Sequence, residues 1–192
     1  MLSKIVIFLA SQSPRRRYLI RQAGYNCRVI KSSYEEIAEP RANPRQLVFK
    51  HARGKLKGAH IPASARFVVA ADTIVVRRGT IYGKPRSLPH AVKMLTQLAG
   101  ETHDVFTGWA MEDRRTGKKY VRCIKSKVRL KPLTISQIRD YFKKMNPLDK
   151  AGSYAVQSRP SIVHSIKGSR ANVMGFPVED FEKIMKLCLK KK

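Results

Sequence analysis

Phe67-Val68-Val69-Ala70-Ala71-Asp72-Thr73-Ile74-Val75-Val76 is almost wholly apolar and rich in β-branched side chains. Such a run predicts a strand covered on both faces. Lys4 to Ala10 predicts an earlier buried strand, and Asn26 to Lys31 a short second one. Alternation, clearest at Val121, Cys123, Val128 and Leu130, predicts that His103–Met111 and Tyr120–Leu130 are antiparallel strands joined through Arg114-Arg115-Thr116-Gly117. Arg77-Arg78-Gly79-Thr80 reads as a hairpin turn, Ser161 to Ile166 as a further strand, and Pro147 to Gln157 as a loop passing into a strand.

Helical spacing marks the remaining elements. Ser13 and Pro14 suit an N-cap and first helical position, with Tyr18, Leu19 and Ala23 facing the core and Gly24 ending the helix. A helix from Pro44 carries Leu47, Val48, Ala52 and Leu56 on one side and Lys50, Arg53, Lys55 and Lys57 on its polar side. His60 to Ala65 is a loop. Ser87 to Ala99 places Ala91, Val92, Leu95 and Leu98 on one face, with Gly100 as its cap. Thr134 starts a helix whose apolar face is Ile138, Tyr141 and Phe142, and Val178 to Leu189 forms the last, with Phe181, Ile184 and Leu187 inward. Lys190 to Lys192 reads as a basic tail. No repeat or low-complexity linker interrupts the series.

The length of 192 residues suits one domain with two lobes, and its 43% hydrophobic content is ordinary for a folded protein. Charge is not ordinary: 40 Lys and Arg against 13 Asp and Glu give a formal net charge of +27. One anion site needs a handful of cations, so the surplus raises nucleic acid as a partner, although the spread from Arg15 to Lys192 weakens that reading. Cys27, Cys123 and Cys188 are far apart and show no zinc spacing, which predicts reduced, buried thiols in a cytoplasmic protein. Ile5 to Ala10 is too short for a signal peptide, and no run approaches a membrane span.

The chemistry centres on Asp72. An ionised carboxylate in an apolar strand must be paired, hydrogen-bonded or bound to a metal. Gly83-Lys84-Pro85 follows it, and Arg15, Arg16 and Arg17 fall in the first turn of a helix that begins after a strand. Cations oppose the helix dipole there, and a bound anion relieves the conflict. Gly83-Lys84 is not a P-loop, since Arg78 and Pro85 occupy positions that need Gly and Ser or Thr. No dinucleotide-binding glycine loop and no Gly-x-Ser-x-Gly elbow occur. His51, His60 and His90 read as surface residues, and His103 beside Asp104 as a pair holding a strand start. These parts fit phosphoanhydride hydrolysis: Arg15, Lys84 and a hard divalent cation neutralise a triphosphate, while Asp72 is the base or a metal ligand.

Several stretches together resemble the Maf family of nucleoside triphosphate pyrophosphatases, once named for inhibition of septum formation. They are Leu9-Ala10-Ser11-x-Ser13-Pro14-Arg15-Arg16, Ala71-Asp72-Thr73-Ile74-Val75, Gly83-Lys84-Pro85, Ala91-x-x-Met94-Leu95-x-x-Leu98-x-Gly100, His103-x-Val105-x-Thr107-Gly108, Asp149-Lys150-Ala151-Gly152-x-Tyr154-x-x-Gln157 and Asn172-Val173-x-Gly175-x-Pro177. They span nearly the whole chain. The resemblance implies an α/β fold, a mixed twisted sheet with flanking helices and two lobes around a deep cleft, similar to inosine-triphosphate pyrophosphatases. It implies hydrolysis of a nucleoside triphosphate to the monophosphate and pyrophosphate with Mg²⁺ or Mn²⁺. Asp72 matches the family's proton acceptor. Arg15, Thr73 and Gln157 match positions that set base specificity and resemble the dTTP/UTP subfamily rather than the 7-methyl-GTP one. Arg16, Lys55 and Lys84 match phosphate-side cations, and Glu35 or Glu36 an acidic position near the metal, alongside Asp72. Homodimers are common in the family. Gln12 departs from the small residue usual at its position, and +27 is an unusual charge for the family. Two other readings remain beside the enzyme: a basic nucleic-acid-binding module with a vestigial cleft, and a septum-linked regulator.

Overall fold

A computed structural model describes residues 5–37, 39 and 42–190. The strand start at Lys4 and the tail at Lys191 and Lys192 lie outside the described residues. The apolar run forms the most fully buried strand, Phe67–Arg77 (β3), after strand β1 (Val6–Leu9), helix α1 (Pro14–Gln22), strand β2 (Asn26–Val29) and helix α2 (Pro44–Lys57). Strand β4 (Thr80–Tyr82), helix α3 (Leu88–Leu98), strands β5 (Thr102–Asp113) and β6 (Lys118–Leu130), helix α4 (Ile135–Lys143), strand β7 (Val163–Lys167), the short helix α5 (Arg170–Met174) and helix α6 (Val178–Lys190) follow.

One seven-stranded mixed sheet has the order β2-β1-β3-β5-β6-β7, with β4 also on β3. Pairing along β1 is parallel, and from β3 through β7 it is antiparallel. On one edge of β3, the β1 register ends at Val69 and β4 begins only at Val75. The interval between them holds Asp72 and Thr73 where neither neighbour pairs with that edge. A gap of this kind, beyond the carboxyl end of a parallel strand, is where α/β sheets receive ligands.

Strand alternation divides the core. Ile7, Leu9, Phe67, Val69, Ala71, Trp109 and Met111 pack with Phe176, Phe181 and Met185 of the α5–α6 side. Phe8, Val68, Ala70 and Ala110 pack against Ala52 and Leu56 of α2 on the opposite face. Even-numbered Asp72 therefore faces α2, while Thr73 and Val75 face away from it. A side chain at Gly108 would put its Cβ 2.5 Å from the Val48 carbonyl oxygen, so glycine lets α2 lie close on β5. The α6 N-terminus is held by Asp180, which accepts a hydrogen bond from Trp109 Nε1 (3.0 Å) and pairs with Arg122. An acid in that first turn also suits the helix dipole.

Several expectations need correction. Tyr18 is 54% exposed and Ile20 is buried in its place, because α1 docks with residues 19 and 20 facing the sheet. Leu187 is exposed, and Met185 and Cys188 are buried with Phe181 and Ile184. The segment from Pro147 to Gln157 contains a 3-10 turn at Ala151–Ser153 rather than a strand, since Gly152 at φ +72° and Ser153 at φ +62° curl the chain. Lys55 is buried rather than on the polar side of α2, and His51 is 4% exposed rather than on the surface. His103 does not pair with Asp104: its Nε2 meets the Tyr154 hydroxyl at 2.8 Å, and Asp104 binds Lys125 and Lys127. Cys27 and Cys188 are buried, Cys123 is half-buried, and all three are free thiols. Among the described residues, no helix is long and apolar enough to cross a membrane.

The His103–Tyr154 contact carries a pH dependence. Burial pushes the His103 imidazole down to about 4 against an ordinary value of 6.5, so the folded state holds it neutral. Its contribution to stability is therefore present above about pH 6.5 and is lost as pH falls from there toward 4, up to about 3 kcal/mol. Chemical denaturation of the wild type and a His103→Gln variant at pH 7.5 and 4.5 checks this. The wild type should lose more stability between the two conditions than the variant.

Candidate functional site

Helix α1, helix α2, the β3 interval and the Pro147–Gln157 segment surround a cavity of about 1340 Å³. Asp72, 5% exposed, stands on its floor. Lys55 reaches in from α2, and its Nζ lies 2.8 Å from Asp72 Oδ1, 2.6 Å from Glu36 Oε1 and 3.4 Å from the Ala71 carbonyl oxygen. One ammonium thus joins two carboxylates and caps a carbonyl that the strand gap leaves open. Burial alone would raise the Asp72 carboxyl. The Lys55 ammonium and its hydrogen bond, with the Arg16 guanidinium behind them, instead hold it below the usual carboxylate range. Asp72 is ionised at neutral pH.

The cations divide into two kinds. Arg16 is built into the wall: Nε donates to the Gly175 carbonyl (2.8 Å), Nη1 to Ser11 Oγ (2.9 Å) and Nη2 to Thr73 Oγ1 (3.2 Å). One hydrogen on each terminal nitrogen is left over. Burial lowers its pKa, although Asp72 opposes that shift. Lys84 is an exposed arm at the mouth, 3.9 Å from Glu36. Arg15 crosses the opening: Nη1 donates to Asp149 Oδ2 (2.9 Å) and Nη2 to the Asp149 carbonyl (3.0 Å).

Other sequence candidates fall around the same space. Thr73 Oγ1 meets Thr107 Oγ1 at 2.9 Å on the side away from Asp72. Gln157 is exposed at the rim. Both acidic candidates are exposed, but Glu36 lines the cavity and pairs with Lys55, whereas Glu35 does not line it. Gln12 is exposed on the wall. Among the described residues no group of three His, Cys, Asp or Glu side chains is placed to hold a metal ion. Glu36 and Asp72 nevertheless converge on one point of positive charge. Mg²⁺ sites commonly need only one or two protein carboxylates, with substrate phosphates and water completing the shell.

Sequence reasoning missed three participants. His51 lines the cavity, and its Nδ1 lies 2.9 Å from the Tyr34 hydroxyl. Its position four residues before Lys55 on α2 is the signal that places both on one face. Tyr34 covers Gly54 so closely that a Cβ there would lie 2.1 Å from its ring. Asp149 opens the Asp149–Gln157 motif, and only the fold brings it to Arg15.

A family profile described as Maf-like protein matches residues 6–188. A dTTP/UTP pyrophosphatase of Geobacter sp. (strain M21) is 41% identical over 173 residues, covering 90% of each chain. That of Gloeobacter violaceus is 41% identical over 170 residues and 88% of each chain. A third dTTP/UTP pyrophosphatase, from Methanosarcina barkeri, is 38% identical over 181 residues, covering 93% of this chain and 92% of its own.

Proposed function

Because the chain belongs to the Maf family, we propose that its cavity hydrolyses dTTP and UTP to the nucleoside monophosphate and pyrophosphate. The observation that carries this reading is the ionised Asp72 beside Lys55 and Glu36, in a strand gap flanked by arginines. The whole chain, residues 1–192, acts as one domain whose two lobes face each other across the cavity.

Asp72 accepts a hydrogen bond from a water directed at the α-phosphorus and takes its proton as the new P–O bond forms. The bond from that phosphorus to the bridging oxygen breaks, and the electron pair leaves with pyrophosphate. Lys55 and Lys84 supply point charges to the phosphates, and Arg16 adds positive charge from the wall. The base lies toward Arg15, Thr73 and Gln157, where the Gln157 amide offers a donor and an acceptor to a pyrimidine edge. Glu36 and Asp72 suit a divalent cation, Mg²⁺ or Mn²⁺, and Glu35 does not share that position. Such a cation, when bound, neutralises charge that develops on the phosphate oxygens.

A panel of nucleoside triphosphates assayed for pyrophosphate release with Mg²⁺ or Mn²⁺ tests the substrate assignment. dTTP and UTP should turn over at least about tenfold faster, as kcat/KM, than CTP, ATP, GTP or 7-methyl-GTP, the worth of one or two directional hydrogen bonds. Preference for a purine would discard the roles given to Arg15, Thr73 and Gln157 while leaving that of Asp72.

A further inference from the structure

Cations that the hydrolytic site does not use gather on β6 and β7. Lys125, Lys127 and Arg129 are exposed at alternate positions of β6, so they share one face of the sheet. It is the face on which Cys123 packs with Leu47 and Val48 of α2. Lys167 of β7 stands directly opposite Lys127. Like charges placed so are mutually destabilising. Asp104 relieves part of this by binding both Lys125 (2.8 Å) and Lys127 (3.0 Å). Arg129 and Lys167 have no ion-pair partner among the described residues. The face therefore holds positive charge at a local cost that a bound polyanion would remove.

Its other features favour one polyanion. The cations repeat every second residue, about 6.6 Å along a strand, which suits a chain of phosphates rather than a single one. Phe106 is half-buried among them with the Lys125 ammonium 5.3 Å from its ring centre, and Arg45 lies over Phe49 at the α2 border. Neither ring is among the exposed ones, so the face offers its charges to a phosphate backbone rather than its rings to stacked bases. An anionic membrane fits less well. Among the described residues the large exposed apolar side chains are Tyr18, Val29, Ile37, Leu88, Ile135, Leu148 and Leu187, and none belongs to β5, β6 or β7. A surface without an apolar anchor has nothing to insert.

We propose that the β6–β7 face binds single-stranded nucleic acid through its phosphate backbone, independently of the cavity. The test is fluorescence anisotropy of a labelled 12-nucleotide oligo(dT) and oligo(U) with the full chain across a salt titration. Binding should weaken steeply with salt. Arg129→Gln with Lys167→Gln breaks no ion pair among the described residues, and it should weaken binding by about tenfold and reduce the log–log salt slope by about 1.4, two phosphate contacts on a single strand. The charge-preserving pair R129K and K167R should bind as the wild type does, which separates lost charge from lost folding. Turnover of dTTP should be unchanged in both variants. Absence of oligonucleotide binding by the wild type at 50 mM salt, or equal affinity and slope in the glutamine pair, would overturn the proposal. So would tighter binding to phosphatidylserine vesicles than to either oligonucleotide.

Discussion

Replacing Asp72 with asparagine should lower pyrophosphate release from dTTP by about 10³-fold, the usual scale for loss of a positioned proton acceptor. Asparagine keeps the size and one carbonyl acceptor but cannot take the proton of the attacking water. The variant should still fold. Lys55 retains Glu36 at 2.6 Å and the Ala71 carbonyl, so its ammonium is not left unpaired. The thermal midpoint should then stay within a few degrees of the wild type, a change of about 1–2 kcal/mol for a domain of this size. The loss belongs in kcat, with KM little altered, because Lys55, Lys84 and Arg16 still meet the phosphates. Wild-type turnover in a folded Asp72→Asn protein would remove Asp72 from the mechanism.

Lys55→Met should act on stability and activity together. Methionine matches the length of the lysine stem but leaves Asp72 with no ammonium in a site where it is 5% exposed. Removing one partner of a buried pair costs about 3–5 kcal/mol. At 2–4 °C per kcal/mol, the melting temperature should fall by roughly 10 °C. The pH dependence reverses as well. In the wild type the lowered Asp72 value stabilises the fold above the unfolded carboxylate range, and that stability is lost as pH falls through the folded value. Without Lys55, burial becomes dominant and raises Asp72. The deficit of the variant should then be largest at neutral pH and shrink in acid. The acid limb of kcat/KM, if protein survives to measure it, should move upward. Equal melting temperatures at pH 7 would show that the Lys55–Asp72 contact contributes nothing net, as buried pairs sometimes do.

The strand around Asp72 is legible because eight of the ten residues from Phe67 to Val76 are apolar, which leaves few alternatives, and the five long helices among the described residues are legible from their spacing. Residues whose placement depends on tertiary phase were not. Tyr18 and Ile20 are both apolar enough to be core, and only docking of α1 on the sheet selects Ile20. Lys55 sits among Lys50, Arg53 and Lys57, so composition places it with the solvated side. Only the unpaired edge of β3 draws it inward. Helix α5 is five residues long, too short for a periodic signal, although Ser169 caps it and Gly175 ends it at φ +108°. The choice between Glu35 and Glu36 turned on one residue of register, which pattern cannot fix. The clasp between Arg15 and Asp149 joins positions 134 residues apart, and no local feature marks it.

The most direct measurement follows the phosphorus products of dTTP or UTP in ¹⁸O-labelled water, with wild type and Asp72→Asn in parallel. Nucleoside monophosphate carrying the label, unlabelled pyrophosphate and loss of both products in the variant are the expected results. Label in orthophosphate alongside a nucleoside diphosphate, or no hydrolysis of either nucleotide by the wild type, would contradict attack at the α-phosphorus with Asp72 as the proton acceptor.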